Sequence, residues 1–120
     1  MKQAGHIVIV ESDDLIRELV KGWLTEAGFS VIAAAGAAPA PKRAPRLVIA
    51  NVSSPRGAGA LIRGMQELYK APIMLISARF RRGLGASKDA AYRLRVRKVL
   101  PKPFTQEELL AAVHEILADN

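Results

Sequence analysis

The 120-residue chain has no cysteine, two histidines, one tryptophan, two tyrosines and three phenylalanines. The missing thiols exclude a disulfide framework and thiolate chemistry. His6 and His114 stand too far apart in sequence to suggest a zinc site. No apolar run approaches the ~20 residues of a membrane span, so no membrane partner is expected. Met1-Lys2-Gln3 leads toward the first apolar run without the hydrophobic core of a signal peptide, which makes a cytoplasmic location the default expectation. Acid is also scarce: 11 Asp and Glu face 18 Lys and Arg, for a net charge of +7. About half the residues are apolar, enough for one core and one domain over residues 1–120.

Four short apolar runs are present, and each is followed closely by a polar residue. They are Ile7 to Val10 before Glu11 and Ser12, Leu47 to Ala50 before Asn51, Ile73 to Ile76 before Ser77, and Val99 to Leu100 before Lys102. Runs this short and this rich in Val and Ile predict buried parallel strands. In an open α/β sheet the ligand crevice lies beyond the carboxyl ends of the strands, so these polar residues should gather at one edge.

Helical periodicity fills the intervals. Leu15, Ile16, Leu19, Val20, Trp23 and Leu24 predict a helix from Asp13 to Ala27, stopped by Gly28. A strand is expected around Phe29 to Ala34. Gly36, Pro39, Pro41 and Pro45 then limit any helix between residues 35 and 46 to about one turn. Further helices are predicted from about Ala58 to Tyr69, from Lys88 (capped by Ser87) to about Arg95, and after Thr105, where Thr105 and Glu108 form a capping box. A fifth strand is expected near Arg97 to Leu100. Alternating strands and helices predict a doubly wound, five-stranded parallel sheet with right-handed crossovers.

At this point the chain resembles a family. The segments VIVESDDLIREL, PRLVIANVSSPRGAGAL, APIMLISA and VLPKPFTQEELL, in that order, are similar to the receiver domain of bacterial response regulators, the CheY-like, flavodoxin-like three-layer sandwich. The likeness covers nearly the whole chain and implies a phosphorelay signalling role in a two-component system. In that family two acids after the first strand hold Mg²⁺, an aspartate after the third accepts phosphate from a histidine kinase, a Ser or Thr follows the fourth, and a Lys-Pro pair follows the fifth. Glu11 matches the first acid, Ser77 the hydroxyl, and Lys102-Pro103 the last pair. Ser12 replaces the second acid and Asn51 the acceptor. Sliding the alignment so that Asp13 and Asp14 become the acidic pair breaks the match of Leu15-Ile16-Arg17 to the following helix.

The departures are chemical. An acyl phosphate needs a carboxylate nucleophile, and a carboxamide is neutral and weakly nucleophilic. Phosphorylation at Asn51 should therefore fail. Mg²⁺ seeks octahedral oxygen ligands including one or two carboxylates. Here Glu11 and the backbone carbonyl of Ser53 are all that remain, so no cofactor is expected. Glu11, Asn51, Ser77 and Lys102 are expected to form a hydrogen-bonded cluster that needs no metal. Each residue also has a plainer reading: Ser12 and Asn51 as drift in a scaffold, Asp13 and Asp14 as first-turn acids favoured by the helix dipole, Ser77 as a strand end, and Lys102-Pro103 as a structural turn for which the resemblance implies a cis peptide. Ser53 and Ser54 lack an evident activating base. Val99 stands where the resemblance places a switching aromatic.

Between Arg79 and Lys102 the cations Arg79, Arg81, Arg82, Lys88, Arg93, Arg95, Arg97, Lys98 and Lys102 meet Asp89 alone, nine minus one, or +8. The resemblance places this stretch on the surface through which receivers meet partners or dimerise. Arg79, Arg81, Arg82, Arg93, Arg95, Arg97 and Lys98 are thus the candidate interaction surface for a signalling protein with an acidic face. A homodimer through the helix at 88–95 and the fifth strand is the other arrangement this implies. Nucleic acid is the competing partner class, since a basic stripe is its electrostatic footprint, but Phe80 and Tyr92 make a sparse stacking platform. The expectation is a pseudo-receiver that is no enzyme and works through protein binding. The alternatives are a nucleic-acid-associated basic protein on the same scaffold, or a response regulator phosphorylated at an unconventional residue such as Ser53 or Ser77.

Overall fold

A computed structural model of the chain describes residues 6–34, 45–51, 58–77 and 95–118. Within them the elements run β1 (Ile7–Val10), α1 (Asp14–Glu26), β2 (Val31–Ala34), β3 (Leu47–Asn51), α2 (Ala58–Tyr69), β4 (Ile73–Ser77), β5 (Lys98–Pro101) and α3 (Gln106–Ala118). The five strands form one parallel sheet in the order β2-β1-β3-β4-β5. The short helix predicted within 35–46 and the helix predicted at 88–95 lie almost wholly outside the described residues.

Strand periodicity sorts the apolar side chains into two layers. Ile7, Ile9, Leu47, Ile49, Met74 and Ile76 face α1 and α3, where Val20, Leu24, Leu109, Val113 and Ile116 meet them. Val8, Val48, Ala50, Ile73, Leu75 and Val99 face the other way, toward Ile62, Met65 and Tyr69 of α2. Both faces are covered, which is why the central strands read as unbroken apolar runs rather than as alternating patterns.

Local signals fix the helix ends. Asp13 caps α1, its carboxylate accepting from the Ile16 N–H at 3.0 Å, so α1 begins one residue later than the periodicity predicts. Gly28 closes the helix with φ +98, a conformation that costs a residue with a Cβ. Thr105 Oγ1 accepts from the Glu108 N–H at 3.0 Å while Glu108 Oε1 accepts from the Thr105 N–H at 2.9 Å. The expected capping box is thus formed. β2 starts at Val31, two residues late, because the Phe29 N–H is spent on the Leu24 carbonyl at the end of α1. β5 is shifted one residue along, to Lys98–Pro101.

Candidate functional site

The strand order reverses between β1 and β3, and the crevice of such a sheet opens beyond the carboxyl ends at that reversal. Glu11 directly follows β1 and Asn51 is the last residue of β3, so both stand at the crevice. Ser77 ends β4, and Lys102 follows β5.

Glu11 is buried, its side chain 0% exposed. Its Oε1 accepts from Lys102 Nζ at 3.1 Å and its Oε2 from the Asp13 N–H at 3.0 Å. The Lys102 side chain is 19% exposed. A carboxylate stripped of water this completely is tolerable only when paired and hydrogen-bonded, and the ammonium and the amide provide both. The pair ties the first strand end to the last, 91 residues away. Lys102 is itself positioned by its backbone, whose N–H donates to the Ser77 carbonyl at 3.0 Å. The Lys102–Pro103 peptide is cis.

Of the residues singled out from the sequence, the structure joins Glu11 to Lys102 through their side chains and Ser77 to Lys102 through the backbone. Ser77 is fully buried, and Asn51 is half-buried at the neighbouring strand end. Of the expected cluster, the structure shows the Glu11–Lys102 side-chain pair, and among the described residues the Asn51 carboxamide makes no hydrogen bond to either of them. Ser12 is exposed and Pro103 lies at the surface. Ser53 and Ser54 lie outside the described residues.

Arg17 was not a candidate from the sequence. Its Nη1 donates to the Glu11 carbonyl at 2.9 Å, and its Nη2 pairs with Asp14. The i, i+3 spacing of Asp14 and Arg17 on the predicted helix is the signal that could have found it. Next to the site, Ile16, Leu19 and Val20 of α1 and Lys102, Pro103 and Phe104 line a largely apolar hollow of about 400 Å³. Phe104 is anchored edge-on against Trp23, with ring centroids 6.3 Å apart.

Of the basic surface, Arg95, Arg97 and Lys98 are described, while Arg79, Arg81, Arg82 and Arg93 lie outside the described residues. Arg95 is exposed with φ 60, and its carbonyl accepts from Gln66 Nε2 at 2.8 Å. Lys98 Nζ pairs with Glu115 Oε1 at 2.9 Å. The positive charge of this strand is therefore partly met from within the chain by α3.

This architecture is that of response-regulator receiver domains. The chain superposes on a response regulator from Thermotoga maritima with TM-score 0.78 at 22% identity, over 97% of this chain and 99% of that one. It matches the chemotaxis protein CheY4 of Vibrio cholerae with TM-score 0.71 at 25% identity, over 95% and 99% of the two chains. A CheY-like receiver domain from Methanospirillum hungatei gives TM-score 0.75 at 20% identity, over 98% and 96%. In sequence the chain is 33% identical over 122 residues to protein PetR of Rhodobacter capsulatus, covering 93% of this chain and 48% of PetR. The chain thus spans about half the length of that relative. No family model matches it. Among the described residues no helix is long and apolar enough to cross a membrane.

Proposed function

We propose that this domain is a two-component signalling module that works without aspartyl phosphorylation, as a pseudo-receiver that binds other proteins. The observation that carries this reading is that a carboxamide ends β3 while the buried carboxylate after β1 is already engaged. Asn51 stands at the end of β3, where the fold's phosphoacceptor would stand, and Glu11 is already engaged by Lys102 and the Asp13 amide. Neither offers a free carboxylate oxygen to phosphorus.

Mg²⁺ does not suit this donor set. An ammonium 3.1 Å from Glu11 supplies the positive charge that a divalent ion would bring, Ser12 is exposed, and Asn51 is neutral, whereas Mg²⁺ binding relies on one or two carboxylates. Among the described residues no three His, Cys, Asp or Glu side chains cluster as a metal site would. The domain on this reading is not an enzyme, resides in the cytoplasm, and takes its output from contact with a signalling protein whose acidic surface meets the basic stretch of residues 79–98.

Amide spectra of the ¹⁵N-labelled chain test the proposal. Adding Mg²⁺ and then beryllofluoride, a phosphoryl mimic that needs a carboxylate, should leave Glu11, Asn51, Ser77 and Lys102 unshifted. Saturable shifts at these residues would refute it.

A further inference from the structure

A parallel sheet has an amino edge as well as a carboxyl edge. Opposite the strand-end site, that edge carries Arg46 directly before β3, Pro72 before β4 and Arg97 before β5. Lys70 follows α2, and Arg95 stands shortly before β5. Gln66 ties these last two together: its carbonyl accepts from the Lys70 N–H at 2.9 Å, and its Nε2 donates to the Arg95 carbonyl at 2.8 Å. Arg46 is held beside β1, its N–H donating to the His6 carbonyl at 2.8 Å. Neighbouring strands lie about 4.8 Å apart, so the row of cations from β3 to β5 is roughly 10 Å wide.

The fold does not account for these cations. Lys70 and Arg95 have φ 53 and 60, in the left-handed region where glycine or asparagine is the default, and both positions carry an exposed cation instead. Among the described residues no ion pair involves Arg46, Lys70 or Arg95. Lys70 suits the negative end of α2, but Arg46 and Arg95 follow no described helix. Of the acids on neighbouring elements, Glu115 is taken by Lys98, and Glu67 lies on the outer face of α2, away from Ile62, Met65 and Tyr69, which seat the helix on the sheet. Glu26 ends α1, on the other side of the sheet. The exposed large apolar side chains also lie elsewhere: Leu15 and Leu19 on α1, Ile32 on β2, and Leu61 and Leu68 on the flank of α2 opposite Gln66. A protein interface is built around a buried apolar or aromatic centre. A phosphate backbone is held by cations and polar groups alone.

We infer that Arg46, Lys70 and Arg95 form a binding site for the sugar-phosphate backbone of a nucleic acid, held without regard to base sequence. Arg97, exposed directly before β5, borders it. Arg46 and Lys70 lie outside the basic stretch at 79–98 assigned above to a protein partner, and the inference does not depend on the chemistry of Asn51.

Fluorescence anisotropy of the full chain with a short labelled DNA duplex of arbitrary sequence tests the inference. Three phosphate contacts give log affinity against log salt a slope of about −3. Lys70→Gly with Arg95→Gly supplies the residue that a positive φ favours, so melts followed by circular dichroism should show an equal or higher Tm. In the same variant affinity at low salt should fall about tenfold or more, and the slope should shrink to about −1. Lys70→Asn with Arg95→Asn, which also tolerates this backbone, serves if the glycine pair does not fold. Lys21→Gln removes an exposed cation from α1, on the other side of the sheet, and should leave the slope unchanged. No saturable binding, an unchanged slope when Lys70 and Arg95 are replaced, an equal loss in Lys21→Gln, or tighter binding of a polyglutamate peptide than of the duplex would each overturn the inference.

Discussion

Replacing Lys102 by methionine keeps the length and apolar stem of the side chain and removes the ammonium paired with Glu11. The Glu11 carboxylate, 0% exposed, would retain the Asp13 amide as its side-chain partner. Removing one member of a buried pair costs roughly 3–5 kcal/mol, because the remaining charge stays desolvated. Lys102 keeps a fifth of its exposure, so water already screens part of the interaction, and the expected loss is about 2–3 kcal/mol. For 120 residues, an unfolding entropy near 2.1 cal/mol/K per residue converts this to a fall in Tm of about 8–12 °C. The companion variant Glu11→Gln removes the buried charge, and combining it with Lys102→Met should recover most of the loss. Urea denaturation of the wild type, both singles and the double gives the coupling energy directly. A Lys102→Met loss below about 0.5 kcal/mol, or a double variant as unstable as the sum of the singles, would refute the claim that this pair holds the strand ends together.

Other positions separate strong contributions from slight ones. Lys98→Ala breaks a pair whose side chains are 37% and 64% exposed, so unfolding in urea should change by less than about 0.5 kcal/mol. Thr105→Ala removes one half of the capping box at the start of α3 and should cost about 1 kcal/mol in the same assay. Ile49→Ala empties a fully buried position in the layer under α1 and α3, with an expected cost of about 2–5 kcal/mol. Gly28→Ala forces a Cβ into φ +98, and thermal melts should show a destabilisation of about 1 kcal/mol.

The core and the strand-end site were legible in the sequence to different depths. Ile7 to Val10, Leu47 to Ala50 and Ile73 to Ile76 announced buried parallel strands because both faces of each are covered. A parallel sheet then brings the residues that follow its strands to one edge, so the meeting of Glu11 and Lys102 across 91 positions was readable in outline. Its partners were not. That Asp13 would cap α1 with its side chain while its N–H served Glu11 depends on loop geometry that periodicity does not carry. Exposure of Ser12 and the grip of Arg17 on the Glu11 carbonyl are set by the same loop. The pairing of Lys98 with Glu115 joins a strand to a helix 17 residues away, a contact fixed by packing of α3 on the sheet and invisible to a count of charges along the chain. The exposed leucines of α2 were hidden for a related reason. Leu61 and Leu68 fit the apolar pattern of a helix, and only the position of the sheet shows which of its apolar residues stay outside.

The most direct measurement is intact mass after incubation with acetyl phosphate and Mg²⁺, beside a variant carrying Asn51→Asp and Ser12→Asp. A native chain without an added phosphoryl group is the predicted result, and a gain of one by the variant would show that the surrounding scaffold still supports the chemistry. A stoichiometric phosphoryl adduct on the native chain would contradict the account and place a working acceptor at a residue other than Asn51.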